Sequence, residues 1–340
     1  VTSDESVGVA TEAGGARRQS WRRALRRSKR TRTALARIAV ALAQLAAASV
    51  IVFALSTLLP GDTAEIVLGQ QATPAQIATL HSRLGLDRPV LDRFGDWALG
   101  VLTGDLGRSL VTGVPVAEEL AERVASTATL GFAALMVIVP LAMVAGVVAG
   151  RRPGSVVDRV ITATCVAGQA VPEFALGLIF VGVFAIGLGW LPATGAGGSL
   201  GGPSVLVLPV AVLVLNQLGR LARQIRIGVA ETDSAEYIEH LRRLGLGGPV
   251  VLWRHVLPAA VVPSIQQLAR VIDGLLAGVV VVEALFALPG VGAGFVAAVG
   301  AHDLPLVQGY TLLFATTTVV VNLLADLASV RLLPDRESLS

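Results

Sequence analysis

Cysteine and lysine are almost absent from this 340-residue sequence, and charge of either sign is scarce. Cys165 is the single thiol, which excludes an intramolecular disulfide; with only four scattered histidines beside it, a structural zinc site is also argued against. Of the 27 basic residues only Lys29 is lysine. A nucleotide-cradling loop of the form G-x-x-x-x-G-K-S/T needs a lysine behind glycine, whereas Lys29 stands in Arg27-Ser28-Lys29-Arg30, so the chain does not hold nucleotide by that device. Charged residues make up 15% of the chain against 54% hydrophobic, with a mean hydropathy of +0.72. That balance excludes a fold surrounded by water and points to a membrane protein stabilised by packed helices.

A bilayer core of roughly 30 Å needs about 20 apolar residues in helical form. Six stretches reach that length: 38–59, 127–150, 172–190, 204–221, 260–285 and 307–330. The first is too long for the core of a secretion signal and runs into Leu59-Pro60-Gly61 with no small-x-small cleavage pattern, so it reads as a retained helix. Arginine placement orients the spans, because basic flanks resist translocation. Ten basic residues precede the first span; Arg151, Arg152 and Arg159 follow the second; Arg220, Arg223, Arg226, Arg242, Arg243 and Arg254 lie between the fourth and fifth; Arg331 and Arg336 follow the sixth. The connections 191–203 and 286–306 carry neither lysine nor arginine, and 60–126 carries five basic against nine acidic residues. Both termini are therefore expected in the cytoplasm. The tail 1–37 reads as a mobile basic segment that sets orientation, with 21–32 open to the alternative of a strip lying on anionic lipid.

Two polar segments interrupt the apolar pattern. In the external one, 60–126, Thr73-Pro74-Ala75-Gln76 offers a helix cap, a first-turn proline and a reciprocal glutamine, and Gly85 supplies the stop. A second helix is expected to start near Pro89, with Leu91, Phe94, Ala98 and Leu102 on one face, before Gly104-Asp105-Leu106-Gly107 turns the chain. This helical cap either covers the bundle or receives a soluble partner. The internal segment is a short helix at 233–245, roughly 16 Å long, with Asp233-Ser234-Ala235-Glu236 as its capping box, Gly245 as its stop and Pro249 preventing continuation. Tyr237, Leu241 and Leu244 fall on one face, and Glu239 and Arg243 form an i,i+4 pair. Held between two spans, such a helix docks into a partner's groove and transmits force, or else lies in the lipid interface.

These residues resemble the membrane-spanning permease subunits of binding-protein-dependent ABC importers, in the dipeptide, oligopeptide and nickel branch. That family carries a cytoplasmic motif of Glu-Ala-Ala, three residues, Gly, nine residues and Ile-x-Leu-Pro. Here Glu239 lies six before Gly245, nine residues follow, and His255-Val256-Leu257-Pro258 ends the pattern; Glu236-Tyr237-Ile238 and Gly245-Leu246 are similar to the branch's own wording. Leu59-Pro60-Gly61-Asp62, Leu84-Gly85-Leu86-Asp87-Arg88-Pro89, Gly104-Asp105-Leu106-Gly107-Arg108-Ser109, Val171-Pro172-Glu173-Phe174, Glu283-Ala284-Leu285-Phe286 with Pro289-Gly290-Val291-Gly292, Asp303-Leu304-Pro305-Leu306-Val307-Gln308-Gly309 and Asn322-Leu323-Leu324-Ala325-Asp326 are similar in the same order. The chain departs from the pattern at Leu241, usually small, and at Leu244, often lysine.

The resemblance implies an all-α, polytopic type I permease fold with six transmembrane helices. The organisation expected is a tail at 1–37, a first span at 38–59, the external segment at 60–126, a five-helix core at 127–330 and a tail at 331–340. It also implies a bacterial inner-membrane location, a second permease, two ATPase subunits that carry ATP and Mg, an extracellular-side substrate-binding protein, and membrane lipid around the spans. No nucleic acid, metal or cofactor is expected on the chain, which would catalyse nothing itself. ATPase coupling is expected from Glu236, Tyr237, Glu239, Leu241, Arg243, Gly245, Leu246 and Pro258. Rival readings are an ion-gradient-driven transporter with Asp273, Glu283 or Asp326 carrying protons, and a non-transporting scaffold.

Ionisable groups inside a span cost about 2.5–3.5 kcal/mol each on insertion scales, so they face protein or water. Arg270, Asp273, Glu283, Asn322 and Asp326 are the candidates for a translocation path. Arg270 and Asp273, three apart, read first as a self-neutralising pair and second as a cavity wall; Glu283 and Asp326 read as loop caps or partners of Arg331. Gly146-x-x-x-Gly150 and Gly274-x-x-x-Gly278 are flat strips for helix packing, the second a candidate contact with a neighbouring permease. Pro172 is expected to break the run 158–190 into an approach helix and a span.

Overall fold

The computed structural model describes residues 32–57, 73–84, 87–195, 202 and 204–332. The expected tail to residue 31, the Leu59-Pro60-Gly61-Asp62 motif, the Gly85 stop and the stretch beyond 332 lie outside the described residues. The described residues form helices and no strand, and one isolated antiparallel bridge joins Arg108 to Pro115. In order come α1 (Arg32–Thr57), α2 (Pro74–Leu84), α3 (Val90–Thr103), α4 (Val116–Gly150), α5 (Val156–Ala170) and α6 (Glu173–Phe180), which widens into a π-helical turn at Val181–Gly187. Then α7 (Ser204–Asp233) leads to the short α8 (Glu236–Arg243). Next, α9 (Gly248–Val251), a π-helical stretch at Leu252–Val256 and α10 (Leu257–Val261) run on continuously. They are followed by α11 (Ser264–Leu285), α12 (Val291–Gly300) and α13 (Leu304–Leu332).

Local chemistry sets several of these boundaries. The backbone N–H of Thr73 donates to Gln76 Oε1 at 2.9 Å and that of Gln76 to Thr73 Oγ1 at 3.4 Å, the reciprocal cap expected for α2. Pro172 pushes Val171 out of the helical region, to ψ 127, and α5 and α6 meet at a bend of 99°. Pro258 has no N–H to give the carbonyl four residues back, at Arg254, and the helix before it relaxes into its π-helical stretch.

Among the described residues, four helices are long and apolar enough to cross a bilayer: α1, α4, α7, and α13 over Leu304–Ser329; the bent pair of α5 with α6 and its π turn, counted as one span, makes five. The expected third span is thus differently built. After Pro172 come only an 8-residue helix and a 7-residue π turn, about 22 Å at helical rise, and α5 joins them at 99°, the geometry of a broken span or a re-entrant loop. The expected fifth span, α11, has 22 residues and carries Arg270, Asp273 and Glu283; it is not among the apolar spans.

Helix α7 is the hub, packed on α4, α5, α6, α10 and α11 around a core that includes Leu130, Ile138, Val212, Ile225 and Val279. Gly146 and Gly150 let α4 settle on α7, since a Cβ at either would strike Ile225 or Val229 and the α7 backbone. The other strip is spoken for inside the chain: the Gln217 side chain lies against Gly274 and the Glu173 carboxylate against Gly278, which corrects the expectation of a neighbouring permease there. A smaller core of Val116, Leu120, Val291, Ala298, Leu306 and Tyr310 joins the start of α4 to α12 and α13.

The segment between α1 and α4 is tied to this framework at two places. Phe94 and Trp97 of α3 pack on Phe53 of α1, with ring centroids 5.3 and 5.6 Å away. Leu91 and Leu102 stay more than 80% exposed, so of the expected face of Leu91, Phe94, Ala98 and Leu102 only Phe94 and Ala98 are partly covered, and α3 packs through Phe94 and Trp97. Asp303, buried ahead of α13, accepts from Ser109 Oγ at 2.5 Å and from the Leu110 N–H at 3.2 Å, while it also accepts from Leu306 N–H at 3.4 Å in its own helix.

Candidate functional site

Two residues, Ser234 and Ala235, separate α8 from the end of α7. The expected cap is misplaced: Asp233 closes α7, and Ala235, extended at φ −71 and ψ 141, is the residue before α8, with no side-chain cap. Asp233 has a different partner, Arg242 at the far end of α8, at 2.5 Å. Glu236 and Glu239 stand in the first turn and His240, Arg242 and Arg243 in the last, each sign where the helix dipole favours it. Glu239 and Arg243 meet at 2.5 Å, as their spacing predicts. The stop also falls where expected: Gly245 takes φ +84, its N–H bonds the Arg242 carbonyl at 3.0 Å, and the Leu246 N–H reaches back to Leu241 O at 3.3 Å.

The helix has a root and a free side. Ile238 is fully buried, and Ala235, Leu241 and Leu246 pack with it on the same core as Val229 of α7, Val251 of α9 and Val256. Tyr237 and Leu244 are 49% and 65% exposed, and Glu236, Glu239, His240 and Arg243 are exposed as well. The face expected from Tyr237, Leu241 and Leu244 is therefore split, with Leu241 turned in and its two companions turned out. Pro258 lies on α10, whose Ala260 backbone closely approaches Gly228 of α7, so the end of the motif makes a second close approach to the same hub.

The polar groups among the spans are distributed otherwise than their spacing suggests. Arg270 and Asp273 make no ion pair among the described residues; Arg270 is exposed, and Asp273 Oδ2 accepts from Asn322 Nδ2 of α13 at 2.8 Å. Asp273 Oδ1 is buried without a hydrogen-bond partner among the described residues. Asp326 pairs with Arg37 of α1 at 3.1 Å, and the side chain of its expected partner Arg331 lies outside what is described. Glu283 is fully buried and caps a loop, one of its two expected roles: it accepts from Thr127 Oγ1 of α4 at 2.6 Å and from the Gly292 N–H at the start of α12 at 2.7 Å. The Val291 N–H in turn donates to Thr127 Oγ1 at 2.8 Å. Of the five path candidates, only Asp273 and Asn322 are brought together.

One buried pair went unread in the sequence. Asp158, 3% exposed, accepts from Arg226 Nε at 2.5 Å and Nη2 at 2.6 Å, and from the Gly154 N–H at 2.8 Å. It fixes the α4–α5 turn to α7, about two helical turns before α7 ends. The local signal was Ser155 three residues ahead of it, a helix-start pattern; nothing local named Arg226.

These features define a class: a multi-pass helical membrane protein, braced by buried carboxylates, from which one short rooted helix presents an unpartnered face. The chain belongs to the family described as binding-protein-dependent transport system inner membrane component, whose model matches residues 129–337; a companion model for the N-terminal part of such membrane components matches 31–131. Among curated relatives, a putative peptide transport system permease protein of Brucella abortus (strain 2308) is 34% identical over 297 residues, covering 86% of this chain and 95% of the relative. A probable peptide ABC transporter permease protein of Sinorhizobium fredii is 33% identical over 298 residues, covering 86% and 95%. The glutathione transport system permease protein GsiC of Escherichia coli (strain K12) is 32% identical over 278 residues, covering 82% and 90%. The chain is thus a membrane permease subunit of an ABC importer, and ATP hydrolysis belongs to a separate subunit.

Proposed function

We propose that the chain forms half of a two-permease pore that imports peptides or a similar small solute by alternating access. The cargo class is carried by the relatives' names, peptide and glutathione transport. Two ATPase subunits, with ATP and Mg, act on the cytoplasmic face through α8; a substrate-binding protein docks on the external face; a second permease completes the pore. The termini are cytoplasmic, and α11, fifth in chain order, brings the spans to six. Two of its three charges are already met by protein, Asp273 by Asn322 and Glu283 by α4 and α12, which lowers the cost of placing them in a bilayer. Arg270 and Asp273 line the path, Arg270 with an exposed side chain and Asp273 held by Asn322.

The observation that carries this reading is the division of α8 into a root and a free side. A helix fixed to α7 and α9 by Ile238 and Leu241 moves those helices when something grips Tyr237 and Leu244. The experiment is cross-linking in the assembled transporter, with Cys165→Ser as background. Cysteine at Tyr237 or Leu244 is expected to join the ATPase subunit, and cysteine at Leu102 of α3 is not. No ATPase adduct from either α8 position would refute the coupling assignment.

A further inference from the structure

The flank of α4 carries an exposed apolar stripe. Val137, Leu141, Val144 and Val148 are 38%, 46%, 63% and 44% exposed, and their offsets of four, seven and eleven put them on one side of the helix. The stripe is about 17 Å long at helical rise, close to half of a roughly 30 Å hydrocarbon core. It runs into a cleft of about 280 Å³ lined by Val147, Val148, Arg151, Arg152 and Val157, where α4 ends and α5 begins. The turn between them is fixed: the Arg151 N–H bonds Val147 O at 3.0 Å, and the Gly154 N–H bonds Asp158.

Charge at this cleft is uncompensated. Arg151 and Arg152 are exposed and make no ion pair among the described residues, and Arg159 on α5 is exposed as well. Asp158, the acid nearest in sequence, is buried and held in two hydrogen bonds by Arg226, so it neutralises none of the three. Two free guanidinium groups at the end of a lipid-length apolar stripe suit a phosphate diester attached to an acyl chain, because the guanidinium fork matches phosphate oxygens and the valines match the chain.

We propose that this cleft is a binding site for an anionic phospholipid, its phosphate on Arg151 and Arg152 and one acyl chain along Val148, Val144 and Leu141. The site requires only that α4 cross the membrane; it does not depend on the cargo or on the coupling role of α8. The test is native mass spectrometry of the full-length chain, delipidated and titrated with phosphatidylglycerol, phosphatidylcholine or inorganic phosphate. The expected result is retention of one phosphatidylglycerol in preference to phosphatidylcholine, undisturbed by millimolar phosphate. R151Q/R152Q is expected to weaken that retention about 30-fold, the effect of removing two cations at a membrane surface, and R151K/R152K, which keeps the charges and loses the fork, to fall between that variant and the unaltered chain. Equal retention of the two lipids, or unchanged retention by R151Q/R152Q, would overturn the site. Displacement by inorganic phosphate would make it a free-anion site instead. Cross-linking of a Val148→Cys variant to the second permease in the assembled transporter would show that protein occupies the stripe, and would overturn the proposal as well.

Discussion

Ile238→Ala removes most of a fully buried side chain from the root of α8, and its consequence can be worked through in magnitude. Ile238 packs with Ala235, Leu241 and Leu246 on the core shared by α7, α9 and the stretch before Pro258. Truncating a buried isoleucine to alanine costs about 2–5 kcal/mol, a transfer part plus a cavity part. Helix α8 has eight residues, too few to persist as an isolated helix, so this burial and the Arg242–Asp233 pair are what hold it. A loss of that size shifts local docking by roughly 30-fold to a few thousandfold. The assay is hydrogen exchange of amides 238–246 in the reconstituted transporter, read beside ATP-driven uptake. Ile238→Ala is expected to accelerate exchange there by that factor and to lower uptake. Tyr237→Ser, half-exposed on the free side, is expected to lower uptake with exchange unchanged. Equal acceleration in both variants, or uptake lost in Ile238→Ala with α8 amides still protected, would refute the separation of root from free side.

Two further outcomes follow from the geometry. Gly245→Val forces a β-branched residue into φ +84, at about 1–2 kcal/mol or more, and should fray the end of α8 and reduce uptake; Gly247→Ala, in open space at φ −62, should do neither. Arg226→Gln leaves Asp158 buried without its counter-ion and should lower thermal stability in detergent by about 3–5 kcal/mol, whereas Arg226→Gln with Asp158→Asn should recover part of the loss. A double variant no more stable than the single one would remove the pair from its bracing role.

The parts legible in the sequence were those decided within a turn or two of chain. Gly245 as the stop of α8, the Glu239–Arg243 pair, the Thr73–Gln76 cap and the break at Pro172 all depend on residues within about six positions, so spacing alone specifies them. Where the pattern misled, a distant group had intervened. Asp233 looked like a cap and is instead claimed by Arg242; Asp273 looked paired to Arg270 and is held by Asn322, 49 residues away; Asp326 looked toward Arg331 and is met by Arg37. Each carboxylate accepts from the strongest donors that reach it in three dimensions, and sequence spacing measures only the local competitors.

The covalent order of residues thus determined the class of molecule, because apolar runs of bilayer length and one-sided arginines are properties of composition and length. It also determined that a short helix lies within 233–245 and where it stops, because a helix terminator acts through backbone groups close at hand; the start, at Glu236 and not at Asp233, it did not fix. Tertiary structure alone decided which side of that helix is root and which is free, and which carboxylates brace the spans. It also decided that the Gly274–Gly278 strip is filled by Gln217 and Glu173. Those outcomes depend on which surfaces α7 brings together, and burial of a side chain is a property of its neighbours in space.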